Sequence, residues 1–163
     1  MTEIKAQAKD KLLELFNTAG KLSIEEFRQS VTFFAEVIEE QVSSYKGEEF
    51  DKINPLSHEF ADGCYIRKMF MPKGQIIVTK IHKKKHPYFI QSGKLSIVSE
   101  HGVHHVTAPY NGITEPGTQR IVYVHEDSVF ITVHATKETD IKKIEEEVIA
   151  KDYNDPLLLK TNI

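Results

Sequence analysis

From Tyr65 onward the chain breaks into short β-rich runs punctuated by Gly and Pro, and this pattern limits its fold more than any other feature. The runs are CYIRKMF, then QIIVTKI after Pro72-Lys73-Gly74, then YFIQ, KLSIVS, HHVTA, RIVYV and VFITVHA. Strands this short and this regularly interrupted predict an antiparallel sandwich or barrel, because none of them buries enough surface alone. Ser92-Gly93 and His101-Gly102 stand where hairpin turns need positive φ, and Pro109 and Pro116-Gly117 interrupt the later connections.

Helical periodicity frames this β-rich region. Leu12, Leu13, Leu15 and Phe16 cluster at helical spacing, and Gly20 is placed to stop that segment in the left-handed conformation. Ser23 and Glu26 form a capping-box pair ahead of Phe27, Val31, Phe34, Ile38 and Val42, which recur at intervals of four and three and mark one apolar face. Phe27, Phe33 and Phe34 are expected to pack in the core. Asp140 is placed to cap a last helix whose Ile141, Ile144 and Val148 share a face. The predicted organisation is a helical extension over residues 1–54, followed over 55–163 by the β domain and its C-terminal helix.

The 163 residues suffice for one domain with modest additions. Hydrophobic residues at 40% and charged residues at 28% exclude a disordered chain. A net charge of -3 provides no overall basic field, so neither nucleic acid nor anionic membrane is an expected partner. The single cysteine, Cys64, excludes an intramolecular disulfide and a zinc site built on several thiolates. The N-terminus has acidic residues where a secretory signal needs an apolar run, and no segment approaches membrane-spanning length. A soluble, cytoplasmic protein is expected.

One spacing stands out within the β-rich region. Gly74 is followed after five residues by Lys80-Ile81-His82, after three more by His86, and after six more by Gly93. This frame resembles the first motif of the cupin superfamily, in which the polar positions are His-x-His and Glu; here Lys80 replaces the first His and His86 replaces Glu. The second motif has a looser counterpart in GITEPGTQR, Gly112 to Arg120, where Pro116-Gly117 keeps the turn and Arg120 falls near the His position. The segments YIRKMFMPKG, KIHKKKHPYFIQSGK and EPGTQRIVYVHEDSVFITVHAT also look like a group of uncharacterised phage and bacterial cupin-like proteins. The resemblance covers about half the chain. It implies a mainly β fold with α-helical flanks: a cupin-like antiparallel jelly-roll barrel, roughly residues 55 to 137, with two N-terminal helices and one C-terminal helix. It also implies a homo-oligomer.

In metal-bearing cupins three His and a carboxylate hold a divalent transition metal inside the barrel. The substitutions here point first to another use. Lys80, His82, His86 and Arg120 converging in a barrel would form an electropositive pocket for a small polar or anionic ligand, including one that bears phosphate. His134, Arg67, Tyr88 and Tyr123 would add to its lining. The alternative is a metal-dependent enzyme that holds one divalent transition metal on His82, His86 and His134. A third reading is a scaffold that acts through its N-terminal helices. No catalytic residue is assigned.

Alternation along Val78, Lys80 and His82 against Ile77, Thr79 and Ile81 separates a polar from an apolar strand face. If Lys80 and His82 point inward, the isoleucines point outward and need a cover, either the second helix or a partner subunit. Lys83-Lys84-Lys85 reads as a solvated loop tip, and His101, His104 and His105 as surface groups around a turn. Cys64 reads as a small buried hydrophobe. His58 lies at the barrel entrance.

Overall fold

Two long strands organise the molecule. In the computed structural model, which describes residues 2–40 and 44–159, β5 (His86–Ser99) and β8 (Ile121–Ala135) run antiparallel through the centre of one sheet. The other strands are β1 (Leu56–Ala61), β2 (Cys64–Met71), β3 (Ile76–Val78), β4 (Ile81–His82), β6 (Gly102–Thr107), β7 (Tyr110–Thr114) and β9 (Ile149–Ala150). The main sheet runs β1-β2-β8-β5-β6, with β3 on β8 and β7 on β5, while β4 and β9 pair separately. Among the described residues the hydrogen-bond ladder does not close on itself, and every strand pairing is antiparallel. Five helices among the described residues flank the sheet: α1 (Thr2–Thr18), α2 (Ile24–Glu39), α3 (Gly47–Ile53), α4 (Ile141–Val148) and α5 (Pro156–Leu159).

Register turns the strand sequences into layers on the inner face of the sheet. One row across β1, β2, β8, β5 and β7 is Leu56, Met69, Phe130, Ile90 and Tyr110. The next is His58, Arg67, Thr132, Tyr88 and Gly112. Beyond it Phe60, Tyr65 and His134 align, with His86 opposite Thr114. The interior therefore grades from apolar to polar along the strand direction, because residues two apart on each strand share a face. Its apolar end is a core of Met69, Met71, Ile77, Ile90, Leu95, Ile97, Val106, Val122 and Val124. Helix α3, which sequence periodicity did not reveal in so short a segment, adds Phe50 to that end. Behind it the fully buried Asn54 exchanges side-chain hydrogen bonds with Gln75 and donates to the Phe70 carbonyl.

The outer face has its own cover. Val78, Ile121, Val98 and Val103 form a row across β3, β8, β5 and β6. Leu15, Phe27, Val31 and Phe34 from α1 and α2 pack on it. Each such large apolar side chain contributes roughly 1.5–3 kcal/mol on burial. The capping box at Ser23 and Glu26 starts α2 as expected, and Asp140 caps α4. Gly20, at φ 77°, ends the α1 segment against Gly102, whose Cα lies 3.1 Å from where a Cβ would stand.

Several local expectations change. Ser92-Gly93 is not a hairpin turn: β5 continues through it with register shifts, and the two apparent strands on either side are one bent strand. RIVYV and VFITVHA likewise merge into β8. Gly93 has φ 90° and lies so close to β8 that a Cβ would stand 2.7 Å from Ser128 Cα. QIIVTKI splits into β3 and β4, and β1 and β7 add strands that the pattern did not distinguish. Phe33 and Leu13 are exposed, with the Lys11 ammonium 5.5 Å from the Phe33 ring centroid. Val42 lies outside the described residues. Cys64 is half-buried rather than buried, and its thiol is free.

Candidate functional site

The polar end of the interior brings three histidines together. His86 opens β5, His134 lies near the end of β8, and His82 sits on the short β4 beside them. Ring centroids are 4.2 Å apart for His86 and His134, 4.4 Å for His82 and His86, and 5.8 Å for His82 and His134. One nitrogen of each lies within 4.8 Å of the others. His82 reaches this cluster because the β3–β4 alternation breaks at Thr79-Lys80. Ile77 faces the core before the break and His82 faces it after, whereas Ile81 turns outward.

Burial sets the charge state of the cluster. Desolvation, reinforced by the neighbouring His86, His134 and Arg120, pulls His82 down to about 2. Desolvation with His86 and Arg67 pulls His134 down to about 3, and His86 is also lowered by its burial. All three imidazoles are neutral at pH 7. His86 Nδ1 lies 3.0 Å from the Lys84 carbonyl, an acceptor, so it carries the proton and Nε2 carries a lone pair. That Nε2, His82 Nδ1 and His134 Nδ1 are all buried without a hydrogen-bond partner.

Cations and hydroxyls surround the triad. Arg120 is 8% exposed, donates to Thr114 Oγ1 at 2.9 Å and lies 4.8 Å from the Tyr88 ring centroid. Arg67 comes from β2 in the row of Thr132 and Tyr88. Gly112 makes room for Tyr88, since a Cβ there would lie 2.6 Å from Tyr88 Cζ. Tyr88 stacks on Phe130, with ring centroids 5.3 Å apart. Tyr65 packs beside His134 and shares a 2.7 Å hydrogen bond with His58 Nδ1.

Two of the residues expected to line the site are placed elsewhere. Lys80 is exposed, and its ammonium pairs with Glu145 of α4; a strongly hydrated charge beside Arg67 and Arg120 would face repulsion in the interior. Tyr123 points to the outer face, edge-on to His125, because it opposes Ile76 and Ser96 rather than an interior row. The structure thus gathers His82, His86, His134, Arg67, Arg120 and Tyr88, and leaves out Lys80 and Tyr123. Sequence reasoning missed Thr114, Thr132 and Tyr65 as neighbours of the site, and their rows become visible only once register is known. His101, His104 and His105 are exposed, as expected.

The C-terminal segment covers this end. Ile144 and Val148 of α4 pack on Tyr65, β9 pairs with β4, and Ile81 meets Ala150 and Leu158. The cover expected of α2 or a partner subunit at Ile81 comes from this segment instead. The lysine run participates: Lys83 binds the Glu146 carbonyl at 2.9 Å and Asp155 at 3.1 Å, Lys84 pairs with Glu147, and Lys85 pairs with Glu115.

No family model matches the chain, and no curated protein matches it. Solved structures do. A predicted oxalate decarboxylase from Thermotoga maritima aligns at 16% identity over 50% of this chain and 78% of that one, with a TM-score of 0.43. An RmlC-like cupin family protein with a double-stranded β-helix fold, from Methanocaldococcus jannaschii, aligns at 15% identity over 60% and 91%, with a TM-score of 0.43. An acetylacetone dioxygenase from Acinetobacter johnsonii aligns at 14% identity over 59% and 76%, also at 0.43. No helix among the described residues is long and apolar enough to cross a membrane.

Proposed function

We propose that the barrel is a small-molecule site built on a divalent transition metal held by His82, His86 and His134. The observation that carries this reading is the set of three neutral imidazoles, His86 and His134 buried and His82 half-buried, which bring one nitrogen each within 4.8 Å of the others and each of which has a buried ring nitrogen without a hydrogen-bond partner. Buried polar atoms are rarely left unsatisfied, and a lone pair such as His86 Nε2 calls for a Lewis acid or a proton donor. Three imidazoles suit zinc, iron, nickel or copper. The Nδ1 proton on the Lys84 carbonyl fixes the His86 tautomer in the way that ligating histidines are commonly oriented.

A metal-free anion pocket using Lys80, the other reading of these residues, is supported less well, because Lys80 is paired at the surface. A scaffold role for the N-terminal helices is also less favoured, because the apolar face of α2 is occupied by the sheet. When bound, the metal supplies Lewis-acid polarisation of an oxygen on the ligand. The chain's own residues do the rest: Arg67 and Arg120 provide positive charge, and α4 with β9 limits water. The test is elemental analysis of protein purified without an affinity tag, followed by Co²⁺ titration of the stripped protein. About one metal per chain is expected, with affinity falling at least about tenfold in His82→Ala and in His134→Ala. A stripped wild-type protein that takes up no Co²⁺ or Zn²⁺ would rule the centre out.

A further inference from the structure

The interior holds two guanidinium groups that no carboxylate among the described residues meets in an ion pair; Asp51 acts on Arg67 and Glu100 on Arg120 only from farther away. Every ion pair among the described residues is made by a lysine. The buried Arg120 has a hydroxyl and a ring face as its neighbours, and Arg67 has the Met69 sulfur at 3.9 Å. The three histidines beside them are neutral and provide no counter-charge. A buried cation without a close counter-charge is costly, and a guanidinium keeps its proton at any physiological pH.

Thr132 adds a second, independent observation. It lies between Arg67 and Tyr88 in the inner row, it is 7% exposed, and its hydroxyl has no hydrogen-bond partner. Arg67 enters from one neighbouring strand, while Arg120 lies over Tyr88, which comes from the other. The backbones of Arg67 and Tyr88 are two strand spacings apart, roughly 10 Å. Arg67 and Tyr88, the latter with Arg120 over its ring, therefore flank the orphaned hydroxyl in one inner row. A single compact anion would satisfy one guanidinium; two separated carboxylates satisfy both, each accepting two parallel hydrogen bonds.

We propose that Arg67, Thr132 and Arg120 form an oxyanion-binding set for a short dicarboxylate, with one carboxylate on each guanidinium and Thr132 Oγ1 donating between them. This rests on the reading of the polar barrel end as the ligand site and names the class of ligand it takes. A dianion there also offsets the repulsion between the two arginines and a metal on the histidines.

Calorimetric titration with malonate and succinate, with acetate, inorganic phosphate and glycerol as controls, tests this on both the stripped and the Co²⁺-loaded protein. One dicarboxylate should bind at least about tenfold more tightly than acetate or phosphate, and glycerol should not bind. Arg67→Gln and Arg120→Gln should each lose at least about tenfold, and Thr132→Val a smaller factor, in variants whose circular dichroism matches the wild type. Phosphate or acetate binding as tightly as the dicarboxylates would overturn the proposal, as would dicarboxylate affinity unchanged in both arginine variants. Dicarboxylate binding that persists in protein unable to take up Co²⁺ would sink the metal reading and leave this one standing. Co²⁺ uptake without any dicarboxylate binding would do the reverse.

Discussion

His82 and His134 are lowered by burial, and this ties stability to pH. Their folded values of about 2 and about 3 lie below the unfolded value near 6.5, so in this range the unfolded chain binds more protons than the folded one. Their contribution is complete above about pH 6.5 and is lost as pH falls towards about 3. Thermal melts in chelator should therefore show Tm falling between about pH 6.5 and about pH 4, and the fall should be shallower in His82→Gln. Gly93 is a second residue-scale determinant. Its φ of 90° and the nearness of Ser128 leave no place for a side chain, so Gly93→Ala should cost at least about 2 kcal/mol in urea denaturation. Gly74 also has positive φ but nothing within 4 Å of a Cβ position, so strain there is backbone strain alone. The motif spacing made both glycines legible, but not which of them is crowded.

At the scale of elements, the C-terminal segment is held by unequal contacts. The Lys80–Glu145 and Lys84–Glu147 pairs are exposed, and such pairs contribute about 0–1 kcal/mol each. Lys83 differs, because its side chain is only 14% exposed and binds both the Glu146 carbonyl and Asp155. Lys83→Met should therefore loosen this segment by about 1–2 kcal/mol. Hydrogen exchange should rise in β9 and α5 while the amides of β5 and β8 keep their protection. Exchange unchanged in β9 would show that the apolar contacts of Ile81 and Leu158 hold the segment alone. From sequence the three lysines read as a solvated loop tip, since their carboxylate partners lie some tens of residues away in the chain.

At the scale of the whole molecule, two cores share one sheet. The inner core and the layer under α1 and α2 lie on opposite faces of the same strands, with Ile97 and Val122 on one side and Val98 and Ile121 on the other. Removing residues 1–46 would uncover the row of Val78, Ile121, Val98 and Val103. The truncated chain should bind hydrophobic dyes and aggregate on size exclusion; a monomeric, cooperatively folding product would show that the barrel stands without its helical cover.

Local chemistry in the sequence determined much of this molecule. The capping box at Ser23, the stop at Gly20, the amphipathic faces of α1 and α2 and the Gly-and-Pro-punctuated β runs are all short-range patterns, and they foretold an antiparallel β domain with helical flanks. The approach of His82, His86 and His134 was legible as an alternative, because the Gly74-to-Gly93 frame put His82 and His86 at positions of one motif and His134 stood near the end of the last strand. Only the tertiary structure decided that Lys80 leaves the interior while His82 enters it, because a break in strand alternation depends on what each side packs against. It alone also set Arg67, Thr132 and Tyr88 in one row. Register between strands that are distant in sequence comes from the packing of both sheet faces together, and no local pattern encodes it.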